Sequence, residues 1–423
     1  MKKWLLIFIF LLSALSYPLQ SIKAGTTDTL EWKERAELPD ARVGAVSQVY
    51  DGKIYVIGGA GSGKPFSNTT YVYDPNSDKW SEKANMKTGR MGAASAIVGD
   101  RIYVMGGKTE QGYVNSVEVY NIKMDTWEDS EDIPFERKVS AYNLYAGVIE
   151  GKIYVAGYDS ALKASGYNNT YSYDIKTKEW TKKKKFDFVA TSGNAVVLKN
   201  KLYILTGSEV LGTKVFEYDP QMDQWKGING GAIAPYHSAV GYEDFIIRTG
   251  GVSRVTLYDL DNQKSSTVPT TSAPNRMGHV SALVNDTLYV IGGVEASSSS
   301  PTTARKDFKS NLSLSLSSLK NNDAETPGNK DREPTTPPKD DPADEEGDAL
   351  LIITMVNGLQ KEYDLSMKEV NAFLSWYKKR DVGEGPGFYE IDEHDNNKGP
   401  FESKKDYVVF KNILMFEVNK YKK

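Results

Sequence analysis

No cysteine occurs among the 423 residues of the chain. Disulfides, thiolate zinc sites and a cysteine nucleophile are excluded together, and stability has to come from packing alone. Histidine is nearly as scarce. His237, His279 and His394 are too few for a histidine-rich metal centre, so neither a metal nor another cofactor is expected. Strong charge of one sign is also missing. A formal net charge of −4 gives no whole-chain reason to expect nucleic acid as a partner. Long apolar runs are confined to the extreme N-terminus. Nothing after Leu15 approaches the ~20 apolar residues of a spanning helix. The ending FEVNKYKK has no apolar tail that would signal anchoring. Enzyme motifs are missing as well: there is no Gly-x-Ser-x-Gly, no phosphate loop and no His-Glu-x-x-His.

The start of the chain is the first positive signal. Lys2 and Lys3 precede an apolar stretch from Trp4 to Leu15, and Ile22-Lys23-Ala24 offers a cleavage site after Ala24. Residues 1–24 read as a secretory signal peptide, with an apolar stretch too short for a retained anchor. The expected location is secreted, extracellular or cell-surface, with no membrane span after cleavage. An exported chain without cysteine fits a bacterial protein best.

Self-similarity dominates the rest. DGKIYVIGG, starting at Asp51, returns as GDRIYVMGG, EGKIYVAGY, KNKLYILTG and NDTLYVIGG. The diglycine position falls at Gly58-Gly59, Gly106-Gly107, Gly157-Tyr158, Gly207-Ser208, Gly250-Gly251 and Gly292-Gly293. The steps of roughly 40–50 residues are those of propeller blades. After each of the first five copies comes an alternating stretch with Tyr-Asp or Tyr-Asn and a turn. Trp80, Trp127, Trp180 and Trp225 follow in four of them, and the fifth copy has lost its tryptophan near Lys264 and Ser265. This is a hairpin pattern. A strand of small residues, such as RVGAVSQVY and RMGAASAIV, precedes each diglycine and suits the crowded innermost position of a blade.

The diglycines, the pairs Tyr73-Asp74, Tyr173-Asp174, Tyr218-Asp219 and Tyr258-Asp259, and the spaced tryptophans make the chain resemble the kelch-repeat family over about 270 residues. The resemblance implies an all-β, six-bladed propeller of four-stranded blades. The sixth copy lacks its outer tryptophan strand, whereas an orphan one, TLEWKERAELP at 29–39, stands at the N-terminus. That strand is expected to close the ring and remove an unpaired edge. The Leu/Ser alternation of Lys309 to Leu319 supplies the remaining strand of the last blade. The propeller is thus expected over 25–319.

Residues 320–348 are acidic, proline-rich and almost without apolar side chains. They are expected to form a disordered linker. Residues 349–423 read as a small α+β module. ALLIITMV, Asn357-Gly358 and LQKEYDL make a hairpin signal. Ser366 and Glu369 form a capping box, and Met367, Val370, Phe373, Leu374 and Tyr377 share one helical face. A break at Gly383 to Pro386 and strands within Tyr407 to Val418 complete the module.

Candidate chemistry is sparse. Aligning the repeats puts Arg42, Arg90, Lys138, Thr191, Tyr236 and Arg276 at one position. If that position rims the channel, a focused positive field would attract a carboxylate, sulfate or phosphate; the other reading is packing between blades. His237 and His279 adjoin the same ring. The run Thr181 to Phe186, TKKKKF, is a solvated basic face or a contact for an anionic wall polymer or glycan. Asp392 to Gly399 has an imperfect calcium-loop spacing, with Lys398 where glycine belongs, and reads as a polar turn. Galactose-oxidase-like enzymes of this family require a cysteine-linked tyrosine, which this chain cannot make. The expectation is a non-enzymatic platform for a protein, glycan or cell-wall polymer. The alternative is an enzyme on an acidic sugar, of the sialic-acid mutarotase kind, for which Glu136 and Glu295 lie near the ring or hairpin loops without a mark of catalysis.

Overall fold

Stretches of β-branched and aromatic residues broken by Asp, Asn and Gly pair as antiparallel hairpins. The computed structural model describes residues 29–61, 65–136, 139, 144–157, 168–186, 188, 193–206, 214–229, 237–250, 254–271, 275–295, 308–319, 347–355, 360–381, 386–392, 405–410 and 413–421. They fall into two units, with the division at Thr326 and Pro327.

The first unit contains six four-stranded antiparallel sheets. Blade 1 is Val46–Tyr50, Lys53–Ile57, Thr70–Asp74 and Lys79–Lys83, and blade 2 is Ala94–Val98, Arg101–Met105, Val117–Asn121 and Thr126–Ser130. Blade 3 is Leu144–Ile149, Lys152–Gly157, Asn169–Asp174 and Glu179–Lys183. Blade 4 is Asn194–Leu198, Lys201–Thr206, Lys214–Asp219 and Gln224–Asn229. Blade 5 is Ser238–Tyr242, Phe245–Gly250, Arg254–Asp259 and Lys264–Val268. Blade 6 takes Val280–Val284, Thr287–Ile291 and Asn311–Ser315 from the end of the unit and Trp32–Arg35 from its beginning. Each innermost strand touches those of the blades before and after it, and the sixth touches the first. The architecture is a six-bladed β-propeller. Its closing contact pairs Trp32 with Leu314 and Arg35 with Asn311, strands far apart in sequence.

Between blades, large side chains interlock. Tyr73 and Val56 of blade 1 pack with Tyr289 and Val280 of blade 6, and Tyr120 and Ile102 of blade 2 pack with Tyr55 and Val72 of blade 1. The two ends of the blades are unequal. On one face the strands are joined by tight turns, such as Asp51-Gly52 and residues 75–78. On the other face run longer connections, of which 58–61, 65–69 and 106–116 are described.

The second unit is a three-stranded sheet of Gln360–Ser366, Asp348–Met355 and Ile413–Tyr421, in that order, with the helix Met367–Asp381 and a separate hairpin of Phe388–Asp392 and Lys405–Val409. The capping box forms: the Ser366 N–H and hydroxyl donate to Glu369 Oε2 at 2.9 and 2.7 Å. Met367, Val370, Phe373 and Trp376 are buried against Ala349, Leu351 and Ile353. The strand Phe388–Asp392 is an addition to the sequence reading. The signal-peptide stretch, Asn357-Gly358, most of 320–348 and all but one residue of the calcium-like 392–399 stretch lie outside the described residues.

Candidate functional site

The site is built from the diglycines outward. Gly58 and Gly59 have φ of 69° and 89°, and Gly292 and Gly293 have 68° and 90°, left-handed values that favour glycine. A Cβ on Gly58 would stand 2.7 Å from the Arg90 carbonyl oxygen, and one on Gly292 would stand 2.6 Å from that of Arg42. The bare backbone lets the next blade's linking segment come close. The Gly59 N–H donates to the Arg90 carbonyl at 2.8 Å and the Gly293 N–H to the Arg42 carbonyl at 2.6 Å.

The arginine side chains hold the same linking segments to their own blades. Arg90 donates through Nη1 to the carbonyls of Gly106 and Ser116 at 2.9 and 3.0 Å, and through Nη2 to Glu118 Oε1 at 2.6 Å. Arg276 donates to the Gly292 carbonyl at 2.9 Å and to Ser310 Oγ at 3.0 Å, with its guanidinium 4.7 Å from the Phe308 ring centre. Arg42 donates to Asp40 and to Thr69 Oγ1, at 3.2 and 2.7 Å. All three are buried, and none lines the channel. The expected cationic rim therefore changes its meaning for Arg42, Arg90 and Arg276. Their charge is spent on backbone carbonyls and acids of the blades rather than offered to a ligand. Lys138, Thr191 and Tyr236 lie outside the described residues. Glu136 is an exposed partner of Lys182, and Glu295 pairs with Arg276 in a short bridge of strands.

The two propeller histidines do reach the channel. It is a cavity of about 390 Å³ lined by the innermost strands of all six blades, with Gln48, Ser95, Tyr145, Asn194, His237 and His279 among its larger side chains and no lysine, arginine, aspartate or glutamate among its lining residues. His279 Nε2 lies 2.8 Å from Thr249 Oγ1, which is 2.7 Å from Ser281 Oγ. Burial, with Arg276 and His237 nearby, pushes the His279 imidazole down to about 3 from its ordinary 6.5. It is therefore neutral at physiological pH, and among the described residues the channel wall is polar but uncharged.

Alignment of the repeats had not revealed a second bracket at the outer rim. The residue five places after each repeat tyrosine takes a left-handed turn: Asp78, Asp125, Lys178, Asp223 and Gln263, with φ of 48–58°. Tyr73, Tyr120 and Tyr218 each donate their hydroxyl to the aspartate at 2.6 Å. Asp78 and Asp125 also accept the N–H of Ala36 and Ala84, each at 2.8 Å, while Trp80 and Trp127 donate to the carbonyls of the same two residues at 2.7 and 2.8 Å. One link residue between blades is thus gripped at both its N–H and its C=O. In blade 5 Ser265 replaces the tryptophan. The buried Arg248 fills the gap, donating to Ser265 Oγ at 2.6 Å with its guanidinium 5.3 Å from the Tyr258 ring centre. The spacing Tyr-x4-Asp was the available sequence signal.

Comparison with known proteins agrees with this geometry. A family profile described as the KLHDC2/KLHL20/DRC7 Kelch-repeats domain matches residues 19–207. Kelch-like protein 36 of Rattus norvegicus is 27% identical over 281 residues, 61% of this chain and 44% of that protein. An uncharacterized protein of Clostridium acetobutylicum is 44% identical over 75 residues, 18% of this chain and 19% of its own length. The chain thus spans less than half the length of these curated relatives. The solved structure titled "Structure of YjhT" superposes with a TM-score of 0.52 at 20% identity, covering 67% of this chain and 97% of that one, a likeness of fold.

Proposed function

We infer that this chain, a kelch-repeat propeller protein, is a binding platform whose long-loop face receives a protein partner, and that it works outside the cell after export. The observation that carries the reading is the division of labour within each blade. The three described ring arginines are bonded within their own blades, and tyrosines, aspartates and tryptophans hold the links between blades. The longer described connections, those of blades 1 and 2, stand together on one face. Loops on a rigid scaffold are where recognition is placed in many folds, and kelch propellers generally bind proteins. The hairpin of Lys108–Thr109 and Gly112–Tyr113 stands on this face, with Tyr113 exposed and Lys108 Nζ 6.0 Å from its ring centre. An aromatic with a cation beside it is a common anchor at interfaces. Acidic-sugar catalysis has less support, because the three described arginines that would hold the anion are bonded inside the blades.

Photo-crosslinking with the full chain tests the platform. A crosslinking residue replacing Tyr113 is expected to capture a discrete partner from a surface extract of the producing cells. The same residue replacing Met222, exposed in a tight turn on the opposite face, is expected to capture none. Equal capture at both positions, or none at Tyr113, overturns the reading.

A further inference from the structure

The outer rims of the blades carry unequal charge. The ten residues that run from the turn through the outer strand are neutral in sum in blade 1 (76–85), blade 4 (221–230) and blade 5 (261–270). In blade 2 the equivalent stretch, 123–132, has Lys123 against Asp125, Glu128, Asp129, Glu131 and Asp132. In blade 3 it runs from Lys176 to Lys185 and has six lysines against Glu179 alone.

The acidic rim is engaged inside the molecule. Asp125 caps Ala84 and accepts from Tyr120. Glu128 pairs with Arg101 and Asp129 with Lys87, and Glu131 accepts the Tyr173 hydroxyl. The basic rim is balanced only in part: Lys178 lies near Glu131, and Lys183 and Lys184 near Asp223, close enough to help the Tyr173 and Tyr218 hydroxyls hold those carboxyls below their ordinary range. Lys182 has an exposed pairing with Glu136 at 3.5 Å. Lys176, Lys178, Lys184 and Lys185 are exposed, and none makes an ion pair with a described carboxylate. The lysines lie in the turn before, at the end of and just after one extended strand, Glu179–Lys183, whose five residues span roughly 17 Å.

We propose that the outer edge of blade 3 is a docking strip for a linear anionic polysaccharide, a site separate from the long-loop face. The match is one of charge spacing: a row of ammonium groups opposite a chain whose carboxylates or sulfates recur along its length. Lysine is a compact point charge without the planar fork of arginine, so the strip reads charge density rather than one oxyanion geometry. A nucleic acid fits less well. Binding a strand without sequence preference draws on aromatic side chains for base stacking, and Trp180 is already half-buried against Tyr173, with ring centres 4.8 Å apart. Because the whole chain is negative, with a formal net charge of −4, retention on a polyanion requires a local cause.

The test compares the full chain with two triple variants on immobilised heparin, a sulfated glycan, and on alginate, a carboxylated one, with double-stranded DNA as a third surface. Lys182→Ser, Lys184→Ser, Lys185→Ser removes the centre of the strip. Lys79→Ser, Lys83→Ser, Lys264→Ser removes as many lysines from the rims of blades 1 and 5. Thermal melting checks that both stay folded. The expected result is glycan retention at about physiological salt, with a log–log salt slope smaller by roughly three for the first variant and unchanged for the second. Retention on both glycans identifies charge density as the recognised feature; retention on one narrows it to that oxyanion. No retention of the natural chain, equal loss in both variants, or equal binding to DNA overturns the proposal. None of these outcomes bears on crosslinking at Tyr113.

Discussion

Single residues carry the connections between blades, and two of them give direct measurements. Glu118 is buried and accepts from Arg90 as well as from the N–H groups of Lys87 and Thr88, at 2.7 and 3.2 Å for the latter two. Removing one partner of a buried ion pair leaves the other charge without compensation. Glu118→Ala is therefore expected to lower the unfolding free energy by about 3–5 kcal/mol, read from urea titration of tryptophan fluorescence. His279 gives a pH signature. The unfolded chain takes up a proton near 6.5 that the folded chain refuses until about 3. Stability is thus complete above 6.5 and falls by about 1.4 kcal/mol per pH unit below it. The turn aspartates act lower down. The Tyr73 hydroxyl holds Asp78 below its ordinary 3.8, so its contribution is present above that value and is lost as pH falls through the lowered one. Denaturant midpoints between pH 6.5 and 4.5 should show a slope that His279→Gln reduces; an unchanged slope would assign it elsewhere.

At the scale of strands and helices, alternation and caps were readable in the sequence because they are local. The Leu/Ser alternation puts Leu312 and Leu314, buried, against the strand Thr287–Ile291. Ser366 and Glu369 start the helix, and Val370, Phe373, Leu374 and Tyr377 turn toward its sheet. The meaning of the arginine ring was not readable in the same way. Alignment fixes a position along a chain, but not whether the side chain bends into the channel or back onto its own blade. That choice depends on carbonyls such as those of Gly106 and Gly292, which the folding of the following hairpin brings within reach. The Tyr-Asp bracket escaped for a related reason: Asp78 finds Ala36 across a blade boundary. The strand Trp32–Arg35 can be tested as an element. A chain beginning after Arg35 leaves Asn311–Ser315 without its outer neighbour and is expected to melt earlier and to aggregate. A synthetic peptide of residues 29–39 should raise its melting temperature in proportion to the logarithm of peptide concentration. A peptide with no effect at any concentration would show that the closing strand is dispensable.

For the whole molecule, each unit has its own apolar core, and the propeller draws the two ends of its sequence into one sheet. Arg35 leaves the ribosome roughly 280 residues before Asn311, its partner in blade 6. At 5–20 residues per second the first strand waits for roughly 15–55 s. Through that interval five blades' worth of polypeptide is made before its closing partner, so the circle cannot be completed until Asn311–Ser315 has left the ribosome. Until then the last blade lacks its outer strand, and the ring stays open at that seam.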